Sequence, residues 1–255
     1  MREPQHRSQS FVEESSAESR LRDVSSPALT SQANFRSMTL PHHAENCFLR
    51  APYDPRMQAI VEAYHRLRTT LVRNREMRTL VVSSSGTAEG KTSTAFDLAL
   101  CFANIQDLPV LLVDADLRTK GLSHLLGLPA SPGLSEILAT GLPYDDAVIR
   151  ADCGNLHVLP AGVISGPPPE LFSREEWKRF IGWSATQFKL VLIDSPPVLR
   201  FADFDLIASA CENVLLVARE RKTNRELLAS ACAHLDPRKL VGVVYTGVSR
   251  QKSRA

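Results

Sequence analysis

The 255-residue sequence has no apolar run of the roughly 18–20 residues that a helix needs to cross a bilayer. Its first residues lack the apolar segment of a secretory signal and carry Glu3, Glu13 and Glu14, so we expect no cleaved leader. The formal net charge is only +2, which gives no electrostatic reason to expect nucleic acid as a partner. With 44% hydrophobic and 23% charged residues, the composition suits one soluble globular domain with some disordered length.

Cysteines are few and lack the paired spacing of metal sites. An odd number of cysteines in apolar surroundings indicates reduced, mostly buried thiols in a reducing compartment. The five are Cys47, Cys101, Cys153, Cys211 and Cys232.

Composition divides the chain into three parts. Residues 1–50 are rich in Ser, Glu, Arg and Gln with balanced charges, which predicts a disordered N-terminal arm. Order is predicted to begin near Asp54 and Pro55, which suit the cap and first turn of a helix. A domain over residues 51–248 follows, and residues 249–255 form a short basic tail.

From Thr79 onward, short apolar runs rich in β-branched residues alternate with helical segments. This alternation predicts an α/β fold with a doubly wound, mostly parallel sheet and helices on both faces. The predicted strands are residues 80–83, 110–114, 156–159, 190–194, 214–217 and 241–245. Such sheets bind ligands beyond the carboxyl ends of their strands.

A glycine-containing loop, Ser85-Gly86-Thr87-Ala88-Glu89-Gly90-Lys91-Thr92, joins the first predicted strand to a helix predicted at residues 93–104. Glycines let successive N–H groups point at an anion, and the helix N-terminus adds partial positive charge. Lys91 supplies a charge for the outer phosphates, and Thr92 supplies a hydroxyl for Mg²⁺. The match to G-x-x-x-x-G-K-[ST] is imperfect because Ser85 replaces the first glycine, so an ordinary surface loop is the alternative.

Two predicted strands end in acidic residues, one in Asp114 and Asp116 and the other in Asp194. Mg²⁺ prefers oxygen ligands, so we expect Asp194 to hold a metal-bound water. Asp114 is predicted to be a metal partner or the base that accepts a hydroxyl proton, and Asp116 to share either role. Arg118 is predicted to pair with these acids or with phosphate. A single Asp after a strand is often only a turn cap. Two apolar strands that end in acidic residues, both downstream of a phosphate loop, instead favour a nucleotide site.

These motifs resemble those of the bacterial tyrosine kinase (BY-kinase) family of capsular and exopolysaccharide biosynthesis, P-loop proteins related to MinD/ParA-type ATPases. Residues 86–92 resemble the family's Walker A motif, residues 110–118 its Walker A′ motif and residues 190–197 its Walker B motif. Residues 62–68 resemble its oligomerisation helix. Residues 118–126 resemble the family's stretch after the Walker A′ motif, and residues 167–173 resemble a segment that precedes a later helix. The similarity extends over residues 54–248.

The resemblance implies an ATP- and Mg²⁺-dependent protein tyrosine kinase that phosphorylates itself in trans and regulates polysaccharide synthesis and export. It also implies a cytoplasmic location, peripheral at the inner face of the plasma membrane. The implied partners are a transmembrane Wzz-like polysaccharide copolymerase that activates the kinase, a protein substrate with a tyrosine, and further copies of the chain bound through the Glu62–Arg68 helix.

The motifs and the resemblance together predict the site residues. The predicted catalytic residues are Lys91, Asp114, Asp116 and Asp194. The predicted cofactor-binding residues are Gly86, Thr87, Ala88, Glu89, Gly90, Lys91, Thr92, Ser93 and Arg118. The predicted metal ligands are Thr92, Asp114 and Asp194.

Tyrosine is where the sequence departs from the family pattern. The family carries a tyrosine-rich C-terminal tail, whereas residues 249–255 contain none. Tyr64 and Tyr245 lie in predicted regular structure and are expected to be packed, which leaves Tyr53 and Tyr144 as candidate acceptors. A MinD/ParA-like regulatory ATPase, or a nucleotide-binding adaptor of a copolymerase without kinase activity, therefore remains an alternative.

Two single positions also depart from the pattern. His65 stands where the oligomerisation motif has an arginine. Thr246 stands where related ATPases often carry an asparagine near the adenine, so the preference for the base is less firmly predicted.

Overall fold

A computed structural model of the chain describes residues 35–40, 55–74, 77–105 and 108–248. The strands in these ranges are β1 Arg36–Met38, β2 Thr79–Ser84, β3 Val110–Asp114, β4 Ile149–Ala151, β5 Leu156–Leu159, β6 Leu190–Asp194, β7 Asn213–Arg219 and β8 Leu240–Thr246. The helices are α1 Pro55–Asn74, α2 Lys91–Ala103, α3 Gly121–Leu126, α4 Leu134–Thr140, α5 Tyr144–Ala147, α6 Pro168–Ser173, α7 Glu175–Gln187, α8 Asp203–Ser209 and α9 Arg225–His234.

All eight strands form one sheet in the order β1-β4-β5-β3-β6-β2-β7-β8. Every neighbouring pair is parallel except β4 and β5, which are antiparallel. The mostly parallel α/β sheet predicted from the sequence is therefore confirmed. Each of the six predicted strands is present, and β2, β7 and β8 are slightly longer than predicted.

Alternate residues of the central strands pack on opposite faces of the sheet. In β2, Leu80 and Val82 join a core with α1 and α2, whereas Val81 joins the core on the other face. The second core contains apolar residues of α4, α7, α8 and α9. Because both faces are covered, the middle residues of the central strands are apolar on both sides, and the doubly wound arrangement is confirmed.

Strands β1 and β4, at one edge of the sheet, were not predicted. For residues 35–40 the prediction of a disordered arm is wrong, because β1 pairs with β4 and Leu40 is buried. The Phe35 ring lies 5.1 Å from the ring of His157 and 6.1 Å from that of Phe188, measured between centroids. A three-residue strand of sequence Arg-Ser-Met has no apolar run, so only these distant contacts identify it.

The predicted division into arm, domain and tail otherwise remains a prediction. Residues 1–34, 41–54 and 249–255, which include the proposed cap Asp54 and also Tyr53, lie outside the described residues. Helix α1 begins at Pro55 as predicted, and α2 begins at Lys91, two residues earlier than predicted. None of the helices in the described ranges combines the length and apolarity that crossing a bilayer requires.

We predict that Phe180→Ala destabilises the fold by about 3–5 kcal/mol, the usual cost of emptying a large aromatic site in a core. Phe180 is fully buried on α7, and its ring lies 5.9 Å from that of Trp177. Denaturant unfolding measures the loss. Lys178→Ala on the exposed side of the same helix is the control and should cost no more than about 0.5 kcal/mol. Equal losses in the two variants would contradict this account of the core.

Candidate nucleotide and metal site

The sheet order brings the ends of three strands together. β6 lies between β3 and β2, and Asp114 at the end of β3 is the register partner of Asp194 at the end of β6. The chain after β6 stays bound to β2, since the Ser195 N–H donates to the Val82 carbonyl and the Val198 N–H to the Ser84 carbonyl. The predicted acids and the predicted phosphate loop therefore meet at one edge, as expected for parallel strands.

The loop after β2 has the backbone geometry of an anion-binding turn. Ala88 has a φ of 55° and Gly90 a φ of 95°, both in the left-handed region. Gly90 is the N-cap of α2 and has no side chain to accept from the first helical N–H groups. These groups remain available to an anion at the positive end of the helix. Thr87 and Ser93 lie exposed beside this opening.

Lys91 lies between two of the predicted acids. Its Nζ donates to Oδ2 of Asp116 at 2.9 Å and lies 3.7 Å from Oδ1 of Asp194. Burial alone lowers the pKa of Lys91, but the charges of Asp194 and Asp116 outweigh it, so the pKa lies above its ordinary value. The ammonium group is therefore fully charged and held at the mouth of the loop.

Asp194 and Asp114 are both completely buried. Burial raises the pKa of Asp194 to about 7, with Lys91 opposing the rise and Asp114 adding to it. Burial also raises the pKa of Asp114 to about 6, although two hydrogen bonds from Ser123 favour its ionised form. The two carboxylates interact, so they titrate as a pair.

The residues present fit a magnesium ion. Within the described part of the chain, neither oxygen of Asp194 nor Oδ1 of Asp114 has a hydrogen-bond partner, which is rare for buried polar atoms. Thr92 adds a hydroxyl beside Lys91, whose Nζ lies 3.4 Å from it. In the described ranges no three His, Cys, Asp or Glu side chains are arranged to hold a metal alone. Mg²⁺ needs no such cage, because one or two carboxylates, waters and phosphates suffice.

Two predicted cofactor-binding residues have side chains engaged elsewhere. Arg118 donates from Nε and Nη2 to the two carboxylate oxygens of Asp203 at 2.7 and 3.1 Å, and its guanidinium lies 4.2 Å from the Phe201 ring centroid. In the described structure it thus makes its ion pair with Asp203, not with the three acids of the site. The Glu89 carboxylate turns inward and accepts from the Thr223 hydroxyl at 2.7 Å, which leaves only its backbone for an anion.

Ser123 holds Asp114 in place, a role that the sequence motifs do not predict. Its backbone N–H and its hydroxyl both donate to Oδ2 of Asp114 at 2.7 Å. Ser123 lies on α3, nine residues after Asp114, within the stretch 118–126 that resembles the family, but that resemblance assigns it no contact with Asp114. Asp116 is held differently, because its Oδ1 accepts from the Thr119 N–H at 3.2 Å in a turn. Asp116 therefore forms the turn cap considered as an alternative and also contacts Lys91.

The tyrosines lie differently from the prediction. Tyr144 is a candidate acceptor by sequence, but its hydroxyl donates to Glu176 at 3.1 Å and its ring centroid lies 4.7 Å from that of Trp183. Tyr245 is expected to be packed, but it is 59% exposed on β8, which lies at the edge of the described sheet. Tyr64 packs partly against the core, as predicted.

Comparison with known proteins agrees with the geometry. The chain is 31% identical over 196 residues to the tyrosine-protein kinase YwqD of Bacillus subtilis, covering 75% of this chain and 82% of that protein. The chain belongs to the bacterial tyrosine kinase family. It is also 29% identical over 220 residues to the tyrosine-protein kinase etk of Escherichia coli, but spans only 30% of that longer protein. No protein-family model matches the chain.

Solved structures of this family share the fold. The kinase domain of the Escherichia coli tyrosine kinase ETK superposes with a TM-score of 0.72 at 26% identity, covering 80% of this chain and 82% of that domain. The cell division ATPase MinD of Pyrococcus furiosus matches in fold alone, with a TM-score of 0.55 at 23% identity over 66% of this chain and 70% of that one. By family and fold the chain is a P-loop protein of the bacterial tyrosine kinase family.

We predict that Asp194→Asn stabilises the metal-free protein at pH 8. The folded-state pKa of about 7 exceeds the ordinary value of 3.8, so the stability linked to this group is complete below pH 3.8 and is lost as the pH rises through about 7. Asparagine mimics the neutral carboxyl and should raise the free energy of unfolding by about 1–3 kcal/mol at pH 8, with a smaller gain at pH 5.

Chemical denaturation in magnesium-free buffer between pH 5 and 8 measures this difference. Asp145→Asn removes one exposed charge and is the matched control. A gain for Asp194→Asn that stays constant across the range, or a loss at pH 8, would contradict the account of a buried, poorly solvated carboxylate.

Proposed function

We propose that this protein transfers the γ-phosphoryl group of MgATP to a tyrosine hydroxyl of a protein substrate. The observation that carries the proposal is the position of the Lys91 ammonium group, between Asp116 at 2.9 Å and Asp194 at 3.7 Å, where the phosphate loop enters α2. Phosphoryl transfer needs positioned positive charge more than covalent chemistry, and this arrangement supplies it beside a ready anion site.

Each side chain has a distinct part in this proposal. Thr92 and Asp194 would hold Mg²⁺, which neutralises phosphate charge when bound, and the unpaired Oδ1 of Asp114 supports the same ion. The N–H groups of the loop and of the first turn of α2 bind phosphate oxygens. Lys91 exchanges its contact with Asp116 for the outer phosphates and stabilises the charge that develops during transfer.

The proton acceptor is best assigned to Asp116. Asp114 has one oxygen fixed by two hydrogen bonds from Ser123, which restricts it to supporting the metal. When Lys91 turns to the phosphates, Oδ2 of Asp116 becomes free to accept the proton of the incoming tyrosine hydroxyl. Asp116 stays oriented meanwhile by the Thr119 N–H.

We also propose the setting in which the kinase acts. The family resemblance supports a role at the cytoplasmic face of the membrane in capsular or exopolysaccharide assembly, with a Wzz-like copolymerase as activator. Self-association through α1 would use Glu62 and Arg66, which are exposed and lie 3.7 Å apart as an ion pair. Arg68 is excluded from that surface, because it is buried and donates to the Cys101 carbonyl at 3.1 Å.

A regulatory ATPase is the second candidate, with water in place of tyrosine. It is favoured by the scarcity of accessible acceptors within the chain, since among the tyrosines in the described ranges only Tyr245 is largely exposed. A nucleotide-binding adaptor without catalysis is the third, and the presence of Lys91, Thr92 and all three acids weighs against it.

We predict that Lys91→Met lowers phosphotyrosine formation by about 100-fold or more, because a positioned charge is lost from the transition state. The assay supplies labelled ATP, Mg²⁺ and a tyrosine-containing copolymer, with and without the cytoplasmic segment of a copolymerase, and follows phosphotyrosine and free phosphate together. Lys178→Met on the exposed side of α7 is the control. Phosphate release without phosphotyrosine would favour the ATPase, and neither product would favour the adaptor.

A further inference from the structure

The outer side of the phosphate loop is fastened to the neighbouring edge of the sheet. The Ala88 carbonyl accepts from Lys222 Nζ at 3.1 Å and from Arg219 Nη1 at 3.4 Å. The Glu89 carbonyl accepts from the Thr246 hydroxyl at 2.6 Å. All three donors belong to the end of β7, the connection to α9, or the end of β8, none of which contains a predicted site residue.

These bonds determine which way the loop N–H groups point. In a trans peptide the C=O and N–H groups point in opposite directions. Holding the Ala88 and Glu89 carbonyls outward therefore directs the N–H groups of Glu89 and Gly90 inward, towards the start of α2. The carbonyl oxygens, which would repel a phosphate, are kept on the far side. The left-handed φ values of Ala88 and Gly90 place successive N–H groups on one side, as in an anion-binding nest.

The loop needs this external support because its conformation is costly. A non-glycine residue with a φ of 55°, as at Ala88, is uncommon and persists where neighbouring contacts impose it. The Thr246 side chain also lies close to the loop at Gly90. A Cβ atom placed on Gly90 would lie 3.3 Å from the Thr246 hydroxyl, so the threonine side chain sits directly against the glycine.

Thr223 provides a second connection through the buried carboxylate of Glu89. Its hydroxyl donates to Glu89 Oε1 at 2.7 Å and accepts from the Arg219 N–H at 2.7 Å, so it joins the end of β7 to the loop. The same carboxylate accepts from the Ser85 hydroxyl and from the Gly86 N–H, each at 3.1 Å. Glu89 thus closes the base of the loop, and Thr223 holds Glu89.

We propose that Thr246 and Thr223 are positioning residues for polyphosphate binding. They contact no phosphate themselves, but they fix the loop so that the N–H groups of Glu89 and Gly90 face the anion. The inference rests on the nucleotide site proposed above and adds to it. It also gives a role on the phosphate side of the site to Thr246, which stands where related ATPases often carry an asparagine near the adenine.

The test compares Thr246→Val, which removes the hydroxyl at constant volume, with Thr246→Ser, which keeps it. Calorimetry with MgADP measures affinity, and ¹⁵N NMR follows the Gly90 amide during the titration. We expect Thr246→Val to weaken MgADP binding by about tenfold, the order of effect of losing one hydrogen bond, and to reduce the Gly90 amide shift. Thr246→Ser should restore both.

The matched control is Thr140→Val, which removes a hydroxyl that donates to a backbone carbonyl, that of Glu136, at the end of α4. It should bind MgADP as the wild-type protein does. Thermal melting of each variant separates loss of folding from loss of positioning. If Thr246→Val does not fold at 25 °C, Thr223→Val and Thr223→Ser form the equivalent pair, with the same expected loss and recovery.

The outcomes distinguish this inference from the function on which it rests. Wild-type protein that binds no MgADP would overturn the nucleotide site itself. Wild-type binding together with a folded Thr246→Val variant that binds within twofold, with an unchanged Gly90 amide shift, would overturn the positioning role alone. A loss in Thr246→Val that Thr246→Ser fails to restore would do the same, because the effect would then not come from the hydroxyl.

Discussion

The ion pairing of Lys91 with buried acids is the interaction on which the rest of the site depends. Asp194 ends the central strand β6, has no exposed surface, and in the described structure finds no hydrogen-bond partner for either oxygen. Burying an ionised carboxylate costs several kcal/mol unless opposite charge compensates. Here the compensation comes from one ammonium group 3.7 Å away. A divalent cation would complete it, so binding of a magnesium-loaded nucleotide should stabilise the fold itself.

The three acids of the site are chemically alike but differ in their surroundings. These surroundings give each acid a different role. Asp114 is fixed by Ser123 on one oxygen and unpaired on the other. Asp116 is also buried, and it is bound to Lys91 and to a turn N–H. Asp194 is fully buried, and in the described structure neither of its oxygens accepts a hydrogen bond. Pairs of carboxylates whose environments separate their proton affinities are a common way to obtain distinct roles from one kind of residue.

Sequence reasoning found those features that local pattern determines. The apolar runs of β2, β3, β5, β6 and β7 are visible because these strands are buried on both faces, and that of β8 because its residues are apolar although it lies at the edge of the described sheet. The acids follow at fixed spacing. Features that depend on contacts between residues far apart in the sequence could not be predicted from local pattern. Strand β1 depends on Phe35 meeting His157 and Phe188, Arg118 pairs with Asp203 85 residues away, and Glu89 bonds Thr223 134 residues away. Neither the strand nor these partners carries a motif.

The two sides of the phosphate loop are supported by different parts of the sheet, one central and one at its edge. The acids lie on or just after β3 and β6, each paired on both sides within the sheet, whereas the outer side of the loop is held partly by β8, which among the described strands pairs only with β7. All residues of β8 remain partly or largely exposed, and edge strands with few buried contacts open at lower free energy than central ones. The charged half of the site is therefore preformed and rigid. The orientation of the loop N–H groups depends instead on the looser edge, so phosphate binding and the ordering of β8 should stabilise one another.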